Sequence, residues 1–226
     1  MAAAGTDQDY ERPIVTVDVV IFTLGEGGLE ALVMRRGTEP FAGSWALPGG
    51  FVHVDEDADL EAAARRVLAD KTGIASPYLE QLQAFGDPGR DPRGWSVSVT
   101  YMALLARASL EPRPDTTRWI PAGGQTALGF DHDRILAAAV RRLRNKVEYT
   151  TLPAHLLPDK FTLPDLQRVY EQILGRGLDK SAFRKRVAEA DFLEPVPGEK
   201  RPASNRPAQL YRLKAAYSTV FFDRTL

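Results

Sequence analysis

The segments Trp45-Ala-Leu-Pro-Gly-Gly-Phe51 and Arg66-Val-Leu-Ala-Asp-Lys-Thr-Gly-Ile74 decide the fold of the first half of the chain. The second segment overlaps the end of a pattern in which apolar residues recur at helical spacing from Leu60 to Leu68. Asp59 is a suitable N-cap, and Gly73 is a suitable residue to end the helix. We therefore predict a helix from Asp59 to Thr72.

The elements around this helix are mostly strands. Runs rich in β-branched and aromatic residues, bounded by turn residues, predict strands over Ile14–Leu24, Leu29–Arg35, Leu79–Phe85, Trp95–Ala106 and Trp119–Ile120. Apolar spacing predicts a second helix over Asp131–Val147. This mixed order, in which strands outnumber helices, indicates an α+β sandwich.

The composition changes after about residue 150. Thr162 precedes a proline-containing first turn, so a helix is expected to begin there and to end near Gly175. A second helix over Asp179–Ala190 follows a short glycine turn, and Gln209–Leu213 can close a hairpin. This order of elements predicts a winged helix. We divide the chain into a polar tail (1–12), a first domain (13–150) and a winged helix-turn-helix domain (151–226).

Composition excludes several classes of protein. The 226 residues include no cysteine and three histidines, so disulfides and thiolate metal sites are excluded. The N-terminus does not resemble a signal peptide, no apolar run is long enough for a bilayer, and a cytoplasmic location is the default expectation. Residues 151–226 carry 13 Lys and Arg against 9 Asp and Glu, which leaves 16 against 21 for residues 1–150. A basic domain after an acidic one is typical of a sensor joined to a nucleic-acid binder.

Two resemblances unite these observations. Arg66, Leu68, Gly73 and Ile74 match the end of the Nudix pattern G-x5-E-x7-R-E-U-x-E-E-x-G-U, in which U is aliphatic, although the spacing from Gly50 to Gly73 is two residues longer. Residues 161–171 and 178–187 resemble the C-terminal domain of the Nudix-related regulators of NAD metabolism, the NrtR family. The stretch 86–99 is also similar to that subgroup. The resemblance implies an N-terminal Nudix-like α/β/α sandwich with a mixed sheet, followed by a DNA-binding winged helix.

The metal-binding part of the Nudix pattern is degenerate. The expected glutamates fall on Val67, Asp70 and Lys71. Mg²⁺ requires oxygen ligands, whereas valine supplies none and lysine adds a positive charge. Glu56 and Glu61 are possible neighbours of Asp70, or all three carboxylates simply solvate a helix surface. We predict that no catalytic residues or metal site remain and that no cofactor is required, with ADP-ribose as the possible effector that the family resemblance implies.

Candidate ligand-binding residues surround the first quoted segment. They combine arginines that can bind phosphate, an aromatic ring that could stack on adenine, and glycines that permit close backbone approach. They are Arg35, Arg36, Trp45, Gly49, Gly50, Arg90 and Arg93. As alternatives, Trp45 could be a core residue, and Arg90 and Arg93 could form ion pairs with Asp87 and Asp91.

Candidate DNA-binding residues lie in the basic domain. An exposed recognition helix places its N-terminal half in the major groove, and a wing contacts the backbone or minor groove. The candidates are Thr162, Lys180, Ser181, Arg184, Lys185 and Arg186 on the two helices, and Lys200, Arg201 and Arg206 in the wing. The alternative is an ordinary solvated basic helix.

Three functions compete at this point. The first is a homodimeric repressor of genes of NAD synthesis or salvage, which binds palindromic double-stranded operator DNA and responds to ADP-ribose or a related nucleotide, with no membrane partner. The second is an active Nudix hydrolase of the ADP-ribose pyrophosphatase type with an accessory C-terminal domain. The third is a structural scaffold. The degenerate metal positions favour the repressor over the enzyme.

Overall fold

The computed structural model describes residues 12–74, 78–110, 115–124, 126–202, 207–214 and 221–222. All but the last residue of the predicted polar tail, and Arg206 in the predicted wing, lie outside these ranges.

A mixed seven-stranded sheet forms the centre of the first half. Its strands are β1 (Ile14–Gly25), β2 (Gly28–Arg35), β3 (Trp45–Ala46), β4 (Gly49–Phe51), β5 (Tyr78–Asp87), β6 (Ser96–Leu104) and β7 (Thr117–Pro121). The order is β3-β2-β1-β6-β5, with β4 paired to β1 and β7 paired to β2. Strands β1 and β6 are parallel, whereas the β1–β2 hairpin is antiparallel, as its glycine turn predicts.

Alternation along β1 directs its side chains to two apolar layers. Val17, Val19 and Ile21 pack with helix α1 (Leu60–Thr72) on one face, whereas Val20 and Phe22 pack with helix α2 (His132–Val147) on the other. The predicted α/β/α sandwich is therefore confirmed.

The boundaries of helix α1 agree with its predicted caps. The Asp59 carboxylate accepts a hydrogen bond from the Ala62 N–H at 2.7 Å, and Gly73 adopts a left-handed conformation with φ of 73°. The sequence analysis missed strands β3 and β4, because segments of two and three residues are too short to show any periodicity.

The predicted winged helix is also confirmed. It comprises α3 (Leu163–Leu174), α4 (Lys180–Glu189) and a hairpin of β8 (Leu193–Arg201) and β9 (Ala208–Leu213). Reciprocal backbone hydrogen bonds between Phe161 and Tyr211, at 3.0 and 2.7 Å, join the hairpin to the start of α3.

The connection between the halves is buried. A short 3-10 helix, Leu152–Leu156, follows α2, and Leu152, Ala154 and Leu156 belong to the same apolar core as α2 and α3. The Tyr170 hydroxyl of α3 donates to the Thr150 carbonyl at 2.7 Å, and both residues are fully buried. The winged helix is thus packed onto the sandwich through a continuous core. Among the described residues, no helix is long and apolar enough to cross a membrane.

Candidate ligand cavity and nucleic-acid interface

A cavity of about 270 Å³ opens between strand β4, the end of β2, the 90–93 loop and the start of α2. Five of the seven predicted ligand residues line it: Arg36, Gly49, Gly50, Arg90 and Arg93. We call this space the Asp18 cavity, after the buried carboxylate on β1 that also lines it. The tertiary structure therefore brings together residues that are up to 57 positions apart in the sequence.

A buried polar network forms the floor of the cavity. The Ser98 hydroxyl donates to the Asp18 carboxylate at 2.6 Å, across the parallel β1–β6 pair. The Arg90 guanidinium donates to both Asp131 carboxylate oxygens, at 2.9 and 3.2 Å, and lies 3.8 Å from Asp18. Arg90 is only 6% exposed, so charge compensation by these carboxylates is required. Arg90 thus forms an ion pair, as the alternative prediction proposed, but with Asp131 instead of Asp87 or Asp91.

His132 completes this network as a neutral imidazole. The Leu47 N–H donates to its Nδ1 at 2.9 Å, so the ring proton is on Nε2, which lies 3.6 Å from Asp18 Oδ1. Burial is the main cause that lowers the pKa of His132, and Asp18 opposes this shift only partly. His132 thereby links β1 to the loop before Gly49.

Gly49 is required by the protein itself. A Cβ atom at this position would lie 1.9 Å from Asp18 Oδ1 and 3.1 Å from the Val17 carbonyl oxygen. A Cβ at Gly50 would lie 3.1 Å from Val67 Cγ2. The predicted close approach of the backbone is therefore to Asp18 and to helix α1, in addition to any approach to a ligand.

Aromatic rings and guanidinium groups form the rim. Phe130 has a positive φ of 59° and stacks on His132, with ring centroids 5.3 Å apart. The Arg36 guanidinium lies 4.7 Å from the centroid of the Phe130 ring, and that of Arg93 lies 5.1 Å from the Phe51 ring. A strained backbone at a non-glycine residue is typical of functional sites. Phe51 is 48% exposed, so its ring can still bind another planar group.

Arg93 and Asp91 form the ion pair that the sequence analysis considered. The Arg93 guanidinium donates to Asp91 at 2.6 and 3.0 Å, and this interaction lowers the pKa of the Asp91 carboxyl.

Two predicted ligand residues lie outside the cavity. Arg35 is exposed, and its Nε donates to the Gly43 carbonyl at 3.4 Å. Trp45 packs against the core between the sheet and α2, and the Arg118 guanidinium covers its ring at 4.1 Å. This packing agrees with the alternative prediction for Trp45, a core aromatic residue. It does not support the stacking of Trp45 on an adenine in this cavity.

The degenerate metal positions on α1 have different surroundings. Val67 is buried in the core and Lys71 lines the Asp18 cavity, whereas the Asp70 side chain is 61% exposed and lies 3.7 Å from Arg66. Glu56 and Glu61 contact His53 and Arg65 on the surface. In the described ranges, no three histidine or carboxylate side chains are grouped to hold a metal ion. These residues do not fit the divalent metal that the Nudix pattern implies.

Arg66 keeps a structural role from the pattern. Its guanidinium donates twice to Asp57, both times at 2.8 Å, and once to the Phe51 carbonyl at 2.9 Å. The two bonds to Asp57 are the main cause that lowers the pKa of its carboxyl to about 2. Arg66 thus stabilises the loop between Gly50 and α1, which contains the two residues that the chain has in addition to the Nudix pattern.

Helix α4 presents a basic face to solvent. Phe183 and Val187 are buried against α3, whereas Lys180, Ser181, Arg184 and Lys185 are exposed. Among the described residues, Lys185 makes only a long contact of 3.9 Å with Glu189, and the Arg184 guanidinium has no partner. These four positions are suitable for the predicted groove contacts.

Of the other predicted DNA contacts, the structure contradicts that of Thr162. Thr162 is 4% exposed, and its side chain forms the capping box with Asp165, so it cannot reach DNA while it caps α3. Arg201 donates to Asp165 at 2.6 Å and is directed towards α3. Arg186 is half-buried over the Phe222 ring at 5.9 Å. Lys200 is exposed on β8, whereas Arg206 lies outside the described residues.

Comparisons with known proteins agree with this architecture. Residues 12–127 match the model of the NUDIX domain, and residues 153–213 match that of the NrtR DNA-binding winged helix domain. The chain is 44% identical over 223 residues to the ADPR responsive transcriptional repressor NtrR of Acinetobacter baylyi, covering 96% of this chain and 89% of that protein. The chain belongs to the NrtR family.

Solved structures of another NrtR family member are similar to this one. Shewanella oneidensis NrtR complexed with a 27mer DNA has 41% identity and a TM-score of 0.83, covering 94% of this chain and 99% of that chain. The NUDIX domain of the same protein complexed with ADP ribose has 38% identity and a TM-score of 0.54, covering 61% and 92%.

The sequence analysis of this NrtR family member missed most of the buried network. Asp18 was visible as the only charge in an otherwise apolar strand, which is a signal for a functional or paired carboxylate. Ser98, Asp131 and His132 gave no comparable signal, because each is separated from Asp18 by about 80 residues or more.

Proposed function

We propose that this protein is a homodimeric transcriptional repressor of genes of NAD synthesis or salvage, whose Nudix domain senses ADP-ribose. The observation that carries the proposal is a cavity whose lining includes Arg36 and Lys71, together with an exposed basic helix, in one chain of the NrtR family. The relative from Acinetobacter baylyi is named as ADPR responsive, and this agrees with the cavity. A cytoplasmic location is part of the proposal, because a repressor must reach the chromosome.

The chemistry of the Asp18 cavity supports a dinucleotide-like ligand. Arg36 and Lys71 line it, and neither has a carboxylate hydrogen-bonded to it within the described residues. Such cations can neutralise a diphosphate. The exposed ring of Phe51 offers a face for a nucleobase. ADP-ribose supplies both groups.

The same cavity argues against hydrolysis. A Nudix hydrolase requires carboxylates that hold a divalent metal against the diphosphate, and the corresponding positions hold Val67, an outward Asp70 and Lys71. The carboxylates that line the cavity include Asp18 and Asp91, which are bonded to Ser98 and Arg93. We therefore propose a sensor without ordinary hydrolase activity.

The buried connection supports coupling between ligand and DNA. Leu152 and Tyr170 share one core with α2, and His132 at the start of α2 contacts the network under the cavity. A movement of α2 on ligand binding is therefore transmitted to α3 without a flexible linker. In a homodimer, such a movement changes the separation of the two α4 helices, which must match about one turn of DNA or a multiple. A ligand that binds more tightly to the dimer in which this separation does not match the DNA therefore releases the operator.

The test is a reciprocal titration. We expect ADP-ribose to weaken binding to a palindromic operator fragment from an NAD-synthesis promoter in a mobility-shift assay, and operator DNA to weaken ADP-ribose binding by the same factor in calorimetry. A hundredfold effect corresponds to about 2.7 kcal/mol of coupling. Arg184→Ala serves as the control, since it should weaken operator binding but retain the free-protein affinity for ADP-ribose. Equal ADP-ribose affinities with and without bound operator would refute the sensor.

A further inference from the structure

Lys71 differs from the other cations of the Asp18 cavity. Arg90 is bonded to Asp131, and Arg93 is bonded to Asp91, so both charges are compensated within the protein. The Arg36 guanidinium donates to the Pro40 and Thr38 carbonyls. Lys71 is exposed and lines the cavity, and the described residues supply it with no hydrogen-bond or ion-pair partner. Its ammonium group is therefore the cation most ready to bind an anion from solution.

The position of Lys71 on α1 explains its direction. It lies one helical turn after Val67, whose Cγ2 lies 3.1 Å from the Cβ position of Gly50. Residues 67 and 71 therefore share the side of the helix that faces strand β4 and the cavity. Asp70, one residue earlier, is turned to solvent.

We propose that Lys71 replaces the divalent cation of the Nudix site and binds the diphosphate of the effector directly. The inference rests on the proposed function and names the residue by which the same cavity recognises its ligand. An ammonium group is a compact charge with three donors, so it can bind oxygens of both phosphates. It also repels a divalent cation from this position, because like charges a few ångströms apart are unfavourable. Effector binding then requires no metal ion.

The experiment is calorimetry of ADP-ribose binding to the full chain, in EDTA and in MgCl₂. Lys71→Met removes the charge but keeps the length of the side chain, and Lys71→Arg keeps the charge. Arg65→Gln is the matched control, because it removes one positive charge from an exposed position of the same helix, where Arg65 is bonded to Glu61. Thermal unfolding of each variant checks that the fold is intact.

We expect equal wild-type affinities in EDTA and MgCl₂. Lys71→Met should weaken binding roughly 10- to 100-fold, as expected for a charged hydrogen bond, whereas Lys71→Arg should recover much of it and Arg65→Gln should change it little. Three outcomes would overturn the inference and leave the sensor intact. They are a Lys71→Met variant that binds ADP-ribose as tightly as the wild type, an Arg65→Gln variant that loses as much affinity as Lys71→Met, and a wild type that requires Mg²⁺ for binding. If the wild type binds no ADP-ribose in either buffer, both the sensor and the role of Lys71 are refuted.

Discussion

His155 should make the fold sensitive to mild acid. It lies in the 3-10 helix that connects α2 to the winged helix, and its ring packs on Tyr78 with centroids 5.1 Å apart. Burial lowers the pKa of His155 from 6.5 to about 4. The folded protein therefore keeps this imidazole neutral over a pH range in which the unfolded chain protonates it.

The sign and size of the effect follow from this difference. Because the unfolded state binds more protons below pH 6.5, the free energy of unfolding falls as the pH falls from 6.5 towards 4. The full shift corresponds to about 3 kcal/mol, of which about 2 kcal/mol is lost between about pH 7.5 and about pH 5. This is a large fraction of the stability of an ordinary domain.

The assay is urea denaturation of the wild type and of His155→Phe at several pH values in this range. The phenylalanine keeps an aromatic ring against Tyr78 but cannot be protonated. We expect the variant to lose about 2 kcal/mol less than the wild type, while part of the acid sensitivity remains because burial also lowers the pKa of His132. Parallel stability curves for the two proteins would refute the reasoning, since His155 would then have the same proton affinity in both states.

Three other predictions concern the two sites. Arg184→Ala and Lys185→Ala should each weaken operator binding by ~1–3 kcal/mol if the side chain reads a base, or flatten the salt dependence of binding if it binds phosphate. Fluorescence anisotropy of labelled operator DNA measures both quantities. Wild-type binding by the two variants would mean that α4 does not face DNA. Gly49→Ala should destabilise the fold by ~1–3 kcal/mol, because its Cβ would lie 1.9 Å from Asp18 Oδ1; an unchanged melting temperature would contradict this contact. Hydrolysis of ADP-ribose with Mg²⁺ or Mn²⁺ should be negligible, and turnover of about 1–10³ s⁻¹ that Asp70→Ala abolishes would show a functional metal site.

Local patterns in the sequence are sufficient for most of the elements. Asp59 and Gly73 delimit α1, and Thr162 and Gly175 delimit α3, because caps depend on the hydrogen bonds of neighbouring residues. The winged helix follows from two amphipathic helices and a hairpin in short succession. The degenerate metal positions are also readable from the sequence, because the spacing along a helix relates them to Arg66 and Gly73.

Only the tertiary structure decides how the candidate residues are used. Arg90 and Trp45 have the residue types that bind nucleotides, yet Arg90 is bonded to Asp131 in the floor of the cavity and Trp45 packs against the core under Arg118. Thr162 could face DNA by its place in the sequence, but its side chain is buried as a helix cap. The partner of a long polar side chain depends on which strands and loops the fold brings within about 3 Å of it. Neither composition nor periodicity carries that information, because the contacts join segments that are far apart in the chain.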